Sequence, residues 1–234
     1  MSAIKQNNKK GRIVCFHKAM RPLKNRYISK SRMYDVSFKN QKINNVNFKG
    51  AIITNSSFRQ TTITDCEFLG TNLSNCSFKK AKFINCVFMG AKLKNSNFDG
   101  ATFNNVLFVT QKITDCKNLL ITDSSPTMVK TIKPLILNER LTSIIDAYCE
   151  QSKDKITHIL KLNSTKYNFL HIGILLETCS EEQIIRGLSK LLETSDFDFP
   201  TIYSLKNYLQ KIVYKDEKTE FLDDCNCNAI CIQA

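Results

Sequence analysis

Residues 58–78 read Phe58-Arg59-Gln60-Thr61-Thr62-Ile63-Thr64-Asp65-Cys66-Glu67-Phe68-Leu69-Gly70-Thr71-Asn72-Leu73-Ser74-Asn75-Cys76-Ser77-Phe78. Every fifth residue is large and apolar, and the beat runs without a gap from Phe38 to Ile113. The series is Phe38, Ile43, Phe48, Ile53, Phe58, Ile63, Phe68, Leu73, Phe78, Phe83, Phe88, Leu93, Phe98, Phe103, Phe108, Ile113. A period of five matches neither the 3.6 of a helix nor the 2.0 of a strand. It describes a chain that turns a corner every five residues, and self-similarity of this kind outranks local propensity. Two residues before the centres sit smaller side chains: Ala51, Ser56, Thr61, Cys66, Thr71, Cys76, Ala81, Cys86, Ala91, Ser96 and Ala101.

A longer period lies over the first. Positions 38, 58, 78 and 98 are all Phe, as are 48, 68, 88 and 108, while 53, 73, 93 and 113 are Ile or Leu. Chemistry therefore repeats every four sides of five, and each residue should stack on its equivalent one coil on, roughly 4.8 Å away. Four coils at that spacing make a rod about 20 Å long. The corners carry Asn45, Asn55, Asp65, Asn75, Asn85, Asn95, Asn105 and Asp115, with Gly50, Gly70 and Gly90 between them. Those residue types accept the backbone angles of tight corners.

The run over about residues 36 to 117 resembles the pentapeptide-repeat family, whose units approximate Ala-(Asp/Asn)-Leu-x-x. The resemblance implies a right-handed four-sided β-helix. Two departures stand out: the centre is mostly Phe rather than Leu, and the preceding residue is rarely Asp (Asn47, Glu67, Asn72, Asn97). The expected fold is a β-helix of about four coils over residues 31–120, followed by a small all-α helical bundle over 135–224. Phe38, Phe48, Phe58, Phe68, Phe78, Phe88, Phe98 and Phe108 form its structural core. A basic N-terminal arm (1–30), a linker (121–134) and a Cys-rich tail (225–234) complete the organisation.

The second half changes period. Thr122-Asp123-Ser124-Ser125-Pro126 reads as a linker. Beyond Pro134, helical stripes follow: Leu141, Ile144, Ile145, Tyr148; Ile156, Ile159, Leu160; Ile172, Leu175, Leu176, Cys179; Ile184, Ile185, Leu188, Leu191, Leu192; and Ile202, Leu205, Leu209, Ile212, Val213. About five short helices are expected. Ser180 with Gln183 forms a capping-box start, and Pro200 suits a first helical turn.

The net charge of +13 is unevenly spread. Residues 1–30 hold nine Lys or Arg and no acid, the repeat run is +7, and residues 121–234 are −3. A basic arm suits an anionic membrane or nucleic acid, or is a solvated tail. No run of 18 apolar residues is present, as a membrane-crossing helix requires. Ten Cys without a framework pattern, and no export signal, read as mostly reduced thiols. Cys66, Cys76, Cys86 and Cys116 fall in the small inward slot. His17, His158 and His171 sit in no metal or triad pattern, and seven Gly leave little material for a phosphate loop. No enzyme activity, metal or cofactor is expected.

The chain finishes Cys225-Asn226-Cys227-Asn228-Ala229-Ile230-Cys231-Ile232-Gln233-Ala234. Its last four residues form a C-a-a-X box with Cys231 as prenyl acceptor, terminal Ala pointing to farnesyl. One lipid anchors marginally, and Cys225 and Cys227 are placed for palmitoylation as a second signal. Two other readings stay open, a Cys-x-Cys-x-x-x-Cys metal tail and a tail of reactive thiols. Repeats of this kind are chiefly bacterial, whereas prenylation is eukaryotic. The Lys/Asn/Ile-rich composition and the acidic stretch Asp216-Glu217-Lys218-Thr219-Glu220 therefore suggest a secreted effector of an intracellular bacterium. Its expected partners are a host prenyltransferase, the cytosolic face of a host membrane and a recruited host protein. Some members of the family protect DNA gyrase by mimicking duplex DNA, which needs a negative rod. This rod is basic. Direct nucleic-acid binding fits the sign, but the Phe point inward rather than out to stack on bases.

Overall fold

The computed structural model describes residues 14–110, 113, 115–121, 125–152, 159–194 and 199–212. The chain divides into two compact units. The first runs to Lys133 and takes in Phe199–Tyr203; the second holds the remainder.

The first unit is a parallel β-solenoid of about six turns. Strands β1 (Val14–Phe16), β3 (Arg32–Tyr34) and β5 (Ile52–Thr54) stack as one sheet. The second sheet has the order β10-β9-β8-β6-β4-β2. Its strands are β2 (Leu23–Tyr27), β4 (Lys42–Asn47), β6 (Thr62–Thr64), β8 (Lys82–Met89), β9 (Thr102–Val109) and β10 (Thr127–Val129), with β7 (Glu67–Leu69) pairing β4 and β8. All these pairings are parallel, and the register steps one coil at a time: Ile43 on Ile63 on Phe83 on Phe103, and Phe68 on Phe88 on Phe108.

The corners explain the period. A left-handed backbone residue recurs every fifth position: Asn45 (φ 53), Gly50 (φ 62), Asn55 (φ 53), Gln60 (φ 56), Asp65 (φ 54), Gly70 (φ 58) and onward to Asn105 (φ 52). Asn, Asp and Gly tolerate that region best, which is why they dominate here. Between corners three residues lie flat, the middle one pointing inward. The eight core Phe from Phe38 to Phe108 are all buried. Their rings form two columns. Phe38, Phe58, Phe78 and Phe98 lie 4.8–4.9 Å apart, and Phe48, Phe68, Phe88 and Phe108 lie 4.5–5.0 Å apart. These separations are the coil spacing itself.

The small inward slot does more than save space. Thr61 Oγ1 donates to the Phe38 carbonyl (2.8 Å), Thr71 Oγ1 to Phe48 (3.0 Å), Ser96 Oγ to Leu73 (2.6 Å) and Cys76 Sγ to Ile53 (3.1 Å). Each donor reaches the centre residue of the preceding coil. A short side chain with one polar hydrogen both fits the slot and satisfies a buried carbonyl.

Two boundaries differ from the sequence expectation of four coils. The solenoid begins inside the expected N-terminal arm, at β1. Leu23, Ile28 and Met33 continue the five-residue beat backward, but Cys15 pairs Met33 while Leu23 pairs Ile43. The first coil is therefore two residues short, and that slip hides it from a strict period. At the far end Asn118 occupies the next centre position, exposed and left-handed (φ 57). The beat stops there, yet Met128 in β10 pairs Phe108 inside the expected linker.

The second unit is helical. Helix α1 (Glu139–Gln151) is capped by Asn138, whose Oδ1 accepts from Arg140 N (2.8 Å). Helix α2 (Phe169–Leu176) is capped by Asn168, which accepts from His171 N (3.3 Å). Helix α3 (Glu181–Thr194) opens on a full capping box: Gln183 N donates to Ser180 Oγ (3.2 Å) and Ser180 N to Gln183 Oε1 (2.8 Å). Residues 202–212 form α4. Leu141, Ile145 and Tyr148 of α1, Ile184, Leu188 and Leu191 of α3, and Leu205 and Leu209 of α4 are buried. Gly187 lies so close to Leu209 that an added Cβ would collide.

Four helices, not about five, occur among the described residues. In the second expected stripe, Ile159 and Leu160 are buried, but their backbone is not helical. They lead into an antiparallel bridge of Lys161 with Tyr167, across a turn in which Asn163 Oδ1 accepts from Thr165 N and Lys166 N. That local Asn geometry competes with helix. Ile156, His158 and Val213 lie outside the described residues.

Candidate interaction surfaces

Alternation on a solenoid wall sets what faces out. One outward column runs Tyr27, Asn47, Glu67, Val87, Leu107, Thr127. Asn47, Glu67 and Val87 in it are buried although they point away from the core. The segment Phe199–Tyr203 lies on this wall. Asn47 Nδ2 donates to Glu67 Oε2 (2.8 Å) and to the Pro200 carbonyl (2.9 Å), and Ile202 N donates to Glu67 Oε1 (2.6 Å). Thr201 Oγ1 donates to Asn45 Oδ1 (2.7 Å).

The neighbouring corners show why the segment binds there. Corner amides form ladders in which each Nδ2 donates one coil back: Asn45 to Asn25, Asn75 to Asn55, Asn95 to Asn75, Asn85 to Asp65 and Asn105 to Asn85, at 2.9–3.2 Å. Asp65 has no amide hydrogen to offer Asn45, so that ladder breaks and Thr201 supplies the donor. Burial raises the Asp65 carboxyl above its ordinary value, while the Asn85 amide opposes the shift. Asp65 and Glu67 are the only acids between Phe38 and Phe98. That pair was the sequence signal for the docked segment, and it lay unread because alternation alone places both residues in solvent.

Two other walls are open and basic. Lys39, Arg59, Lys79 and Asp99 occupy one outward column, and Lys42, Thr62, Lys82 and Thr102 the next. Lys79 and Asp99 approach to 3.6 Å with both side chains well exposed. A pair of that kind contributes at most about 1 kcal/mol.

The fourth wall is unlike the rest at its N-terminal end. Outward there stand Val14 and Phe16 of β1, Arg32 and Tyr34 of β3, and Ile52 and Thr54 of β5. Val14 is 50% and Phe16 56% exposed. The Phe16 and Tyr34 rings stack at 5.3 Å, 7° from parallel. Beside them Val14, Lys30, Arg32, Gly50 and Ile52 line an open groove of about 520 Å³. His17 and Asp35 lie 3.3 Å apart at the opposite corner of that wall.

The thiols fall into two groups. Cys66, Cys76 and Cys86 are buried in the inward slot, and Cys116 partly so. Burial pushes Cys76 and Cys86 up to about 12, Cys116 to about 11, and Cys66 well above 9.0. Such thiols stay protonated, donate to carbonyls and resist reaction. Among the described residues no group of three or more His, Cys, Asp or Glu is arranged to hold a metal. His171 is buried in α2, with Nδ1 2.8 Å from the Ile159 carbonyl. Cys225, Cys227 and Cys231 lie outside the described residues.

The family described as Pentapeptide repeats matches in eight copies, over residues 31–70, 42–79 and 71–108. Residues 31–108 are pentapeptide repeats. Several solved structures are similar to part of this chain. HetL from the cyanobacterium Nostoc sp. strain PCC 7120, involved in heterocyst differentiation regulation, is 12% identical over 45% of this chain and 47% of its own, with a TM-score of 0.40. The chain thus spans about half the length of HetL. A pentapeptide repeat protein of the Arabidopsis thaliana thylakoid lumen is 21% identical over 53% of this chain and 75% of its own, with a TM-score of 0.21. Full-length QnrB1, a plasmid-mediated fluoroquinolone resistance protein, is 12% identical over 45% and 70%, with a TM-score of 0.23. Likenesses at these identities concern the fold alone. Among curated proteins, none matches this chain.

Proposed function

We propose that this pentapeptide-repeat protein is a non-enzymatic adaptor, held on a membrane by its tail and presenting its solenoid to a protein partner. The observation that carries the reading is the pair of open walls on a stacked aromatic core. Side chains fixed in ladders lose little freedom on binding, so such a wall is pre-ordered for recognition. The Lys39, Arg59, Lys79 column and its Lys42, Lys82 neighbour suit an acidic partner surface.

The tail supplies the location. Cys231 is the prenyl acceptor and Cys225 with Cys227 the palmitoyl acceptors, in a secreted effector lipidated by its host. A C-a-a-X box is read only at a free carboxyl terminus, so the reading applies to a natural product that stops at Ala234. The test is expression in eukaryotic cells of wild type and Cys231→Ser, followed by intact mass and membrane fractionation. A prenyl adduct on wild type alone, with release of the variant to the cytosol, supports the anchor. Charge reversal at Lys39, Arg59 and Lys79 should then lose the bound partner while membrane residence persists.

Mimicry of duplex DNA, with gyrase as partner, requires an acidic rod and is disfavoured by the basic walls.

A further inference from the structure

We propose that the N-terminal end of the fourth wall, centred on Phe16 and the groove between Lys30 and Arg32, is a docking surface for an anionic lipid bilayer. The inference rests on the membrane reading above and names a second attachment, built into the folded solenoid. It stands on composition and on placement together. Among the described residues, Val14 and Phe16 are the only large apolar side chains on the solenoid strands that stand half-exposed or more. They neighbour each other on β1, the edge strand of its sheet, and Ile52 extends the apolar surface across the groove. Lys30 and Arg32 line the same groove and are exposed. Interfacial binding needs this pairing: apolar groups to enter the acyl boundary, and cations beside them for the lipid phosphates.

Charge complementarity selects the occupant. The thirteen residues before Val14 hold Lys5, Lys9, Lys10 and Arg12 and no acid, so the sequence adjoining the patch is basic as well. The nearby Asp35 is paired with His17. Nucleic acid would share the cations. It would gain little from Val14 and Ile52, which have no ring for a base to stack on, whereas hydrocarbon takes both.

The experiment uses the full chain made in bacteria, where no prenyl group is added. It measures cosedimentation with phosphatidylcholine vesicles, with and without phosphatidylserine. Wild type should bind only the phosphatidylserine vesicles. Lys30→Ala with Arg32→Ala should weaken binding about 25-fold, at about fivefold for each cation lost. Phe16→Ala should weaken it about tenfold, through lost apolar insertion. Lys117→Ala, exposed at the far end of the solenoid, should stay within about twofold, since screening confines the attraction to cations near the surface. Far-UV circular dichroism confirms folding, and the exposed Lys30 and Arg32 pair keeps the test valid should Phe16→Ala disturb β1. Absence of binding to phosphatidylserine vesicles overturns the proposal. Equal losses for Lys117→Ala and the groove pair, with no effect of Phe16→Ala, overturn it too. Retention on duplex DNA but not on vesicles does so in favour of nucleic acid. None of these outcomes bears on Cys231, whose modification is read separately by mass in eukaryotic cells.

Discussion

Phe88 sits between two other rings, 4.5 Å from Phe68 and 4.7 Å from Phe108, and is wholly buried. Phe88→Ala should cost about 3–5 kcal/mol, the range for a buried Phe. The loss exceeds simple transfer because two stacking contacts vanish and neighbouring coils are pinned too firmly to collapse. A chemical-denaturation midpoint checks it, and an unchanged midpoint contradicts the core as described. Residue-level inside and outside were legible because a five-residue beat with no gap leaves only one register. The slot donors were not, since a Thr, Ser or Cys in a small position does not name the carbonyl it will meet. The thiols make a second prediction. Cys76 and Cys86 are raised from 9.0 to about 12 by burial. Between those values the unfolded chain has released protons that the native state retains. Stability is therefore complete below pH 9 and falls as pH rises towards 12, by about 1.4 kcal/mol per pH unit for each thiol. Denaturant melts from pH 8 to 11 should show that fall, and Cys76→Ala with Cys86→Ala should flatten it.

Among the elements, Phe199–Tyr203 is the one that the sequence misplaced. Helical stripes put it in the bundle; the chain instead lays residues 199–201 along the solenoid wall and begins α4 at Ile202, whose amide still bonds Glu67. Periodicity reports which face of an element is apolar and says nothing of a five-residue segment held by polar atoms. The same limit hid the first coil, where a two-residue slip between Met20 and Leu23 breaks the beat without breaking the pairing. Glu67→Ala should expose the clamp. It removes the acceptor of Ile202 N and one of the two acceptors of Asn47 Nδ2. Each buried donor left unpaired costs about 1–3 kcal/mol. Amide exchange at Ile202 should accelerate far more than at Phe88, which lies on β8 rather than on the substituted strand. Uniform acceleration would mean that the whole coil loosens instead. In the second unit, Gly187→Ala should destabilise α3 against α4 even though Ala is the better helix former, because its methyl meets Leu209.

On the scale of the whole molecule the charge is divided: a basic start, a basic solenoid and a slightly acidic second half. That division was legible from composition, whereas the exposed aromatic end of the fourth wall needed the fold to bring Phe16 beside Tyr34. It also bears on the membrane reading. A farnesyl chain contributes about 0.8 kcal/mol per buried CH₂ equivalent, which gives reversible attachment. A second signal converts it to residence, and on the proposed reading two sources would supply it: palmitate on Cys225 or Cys227, and the cationic apolar end of the solenoid. They predict different cells. Cys231→Ser should remove both lipids, because the prenyl group comes first and brings the tail to the palmitoylating enzymes, and leave only the weak, fast-exchanging contact of the solenoid end. Cys225→Ser with Cys227→Ser should leave an exchanging association whose residence time then depends on Lys30 and Arg32. Photobleaching recovery of a tagged chain measures it. Recovery should quicken in the double Cys variant and quicken further when Lys30→Ala and Arg32→Ala are added. If the four-site variant recovers no faster than the double Cys variant, the solenoid end does not touch the membrane. If Cys231→Ser stays on membranes with unchanged recovery, the tail is not the anchor, and the folded units or the basic N-terminal sequence carry the attachment.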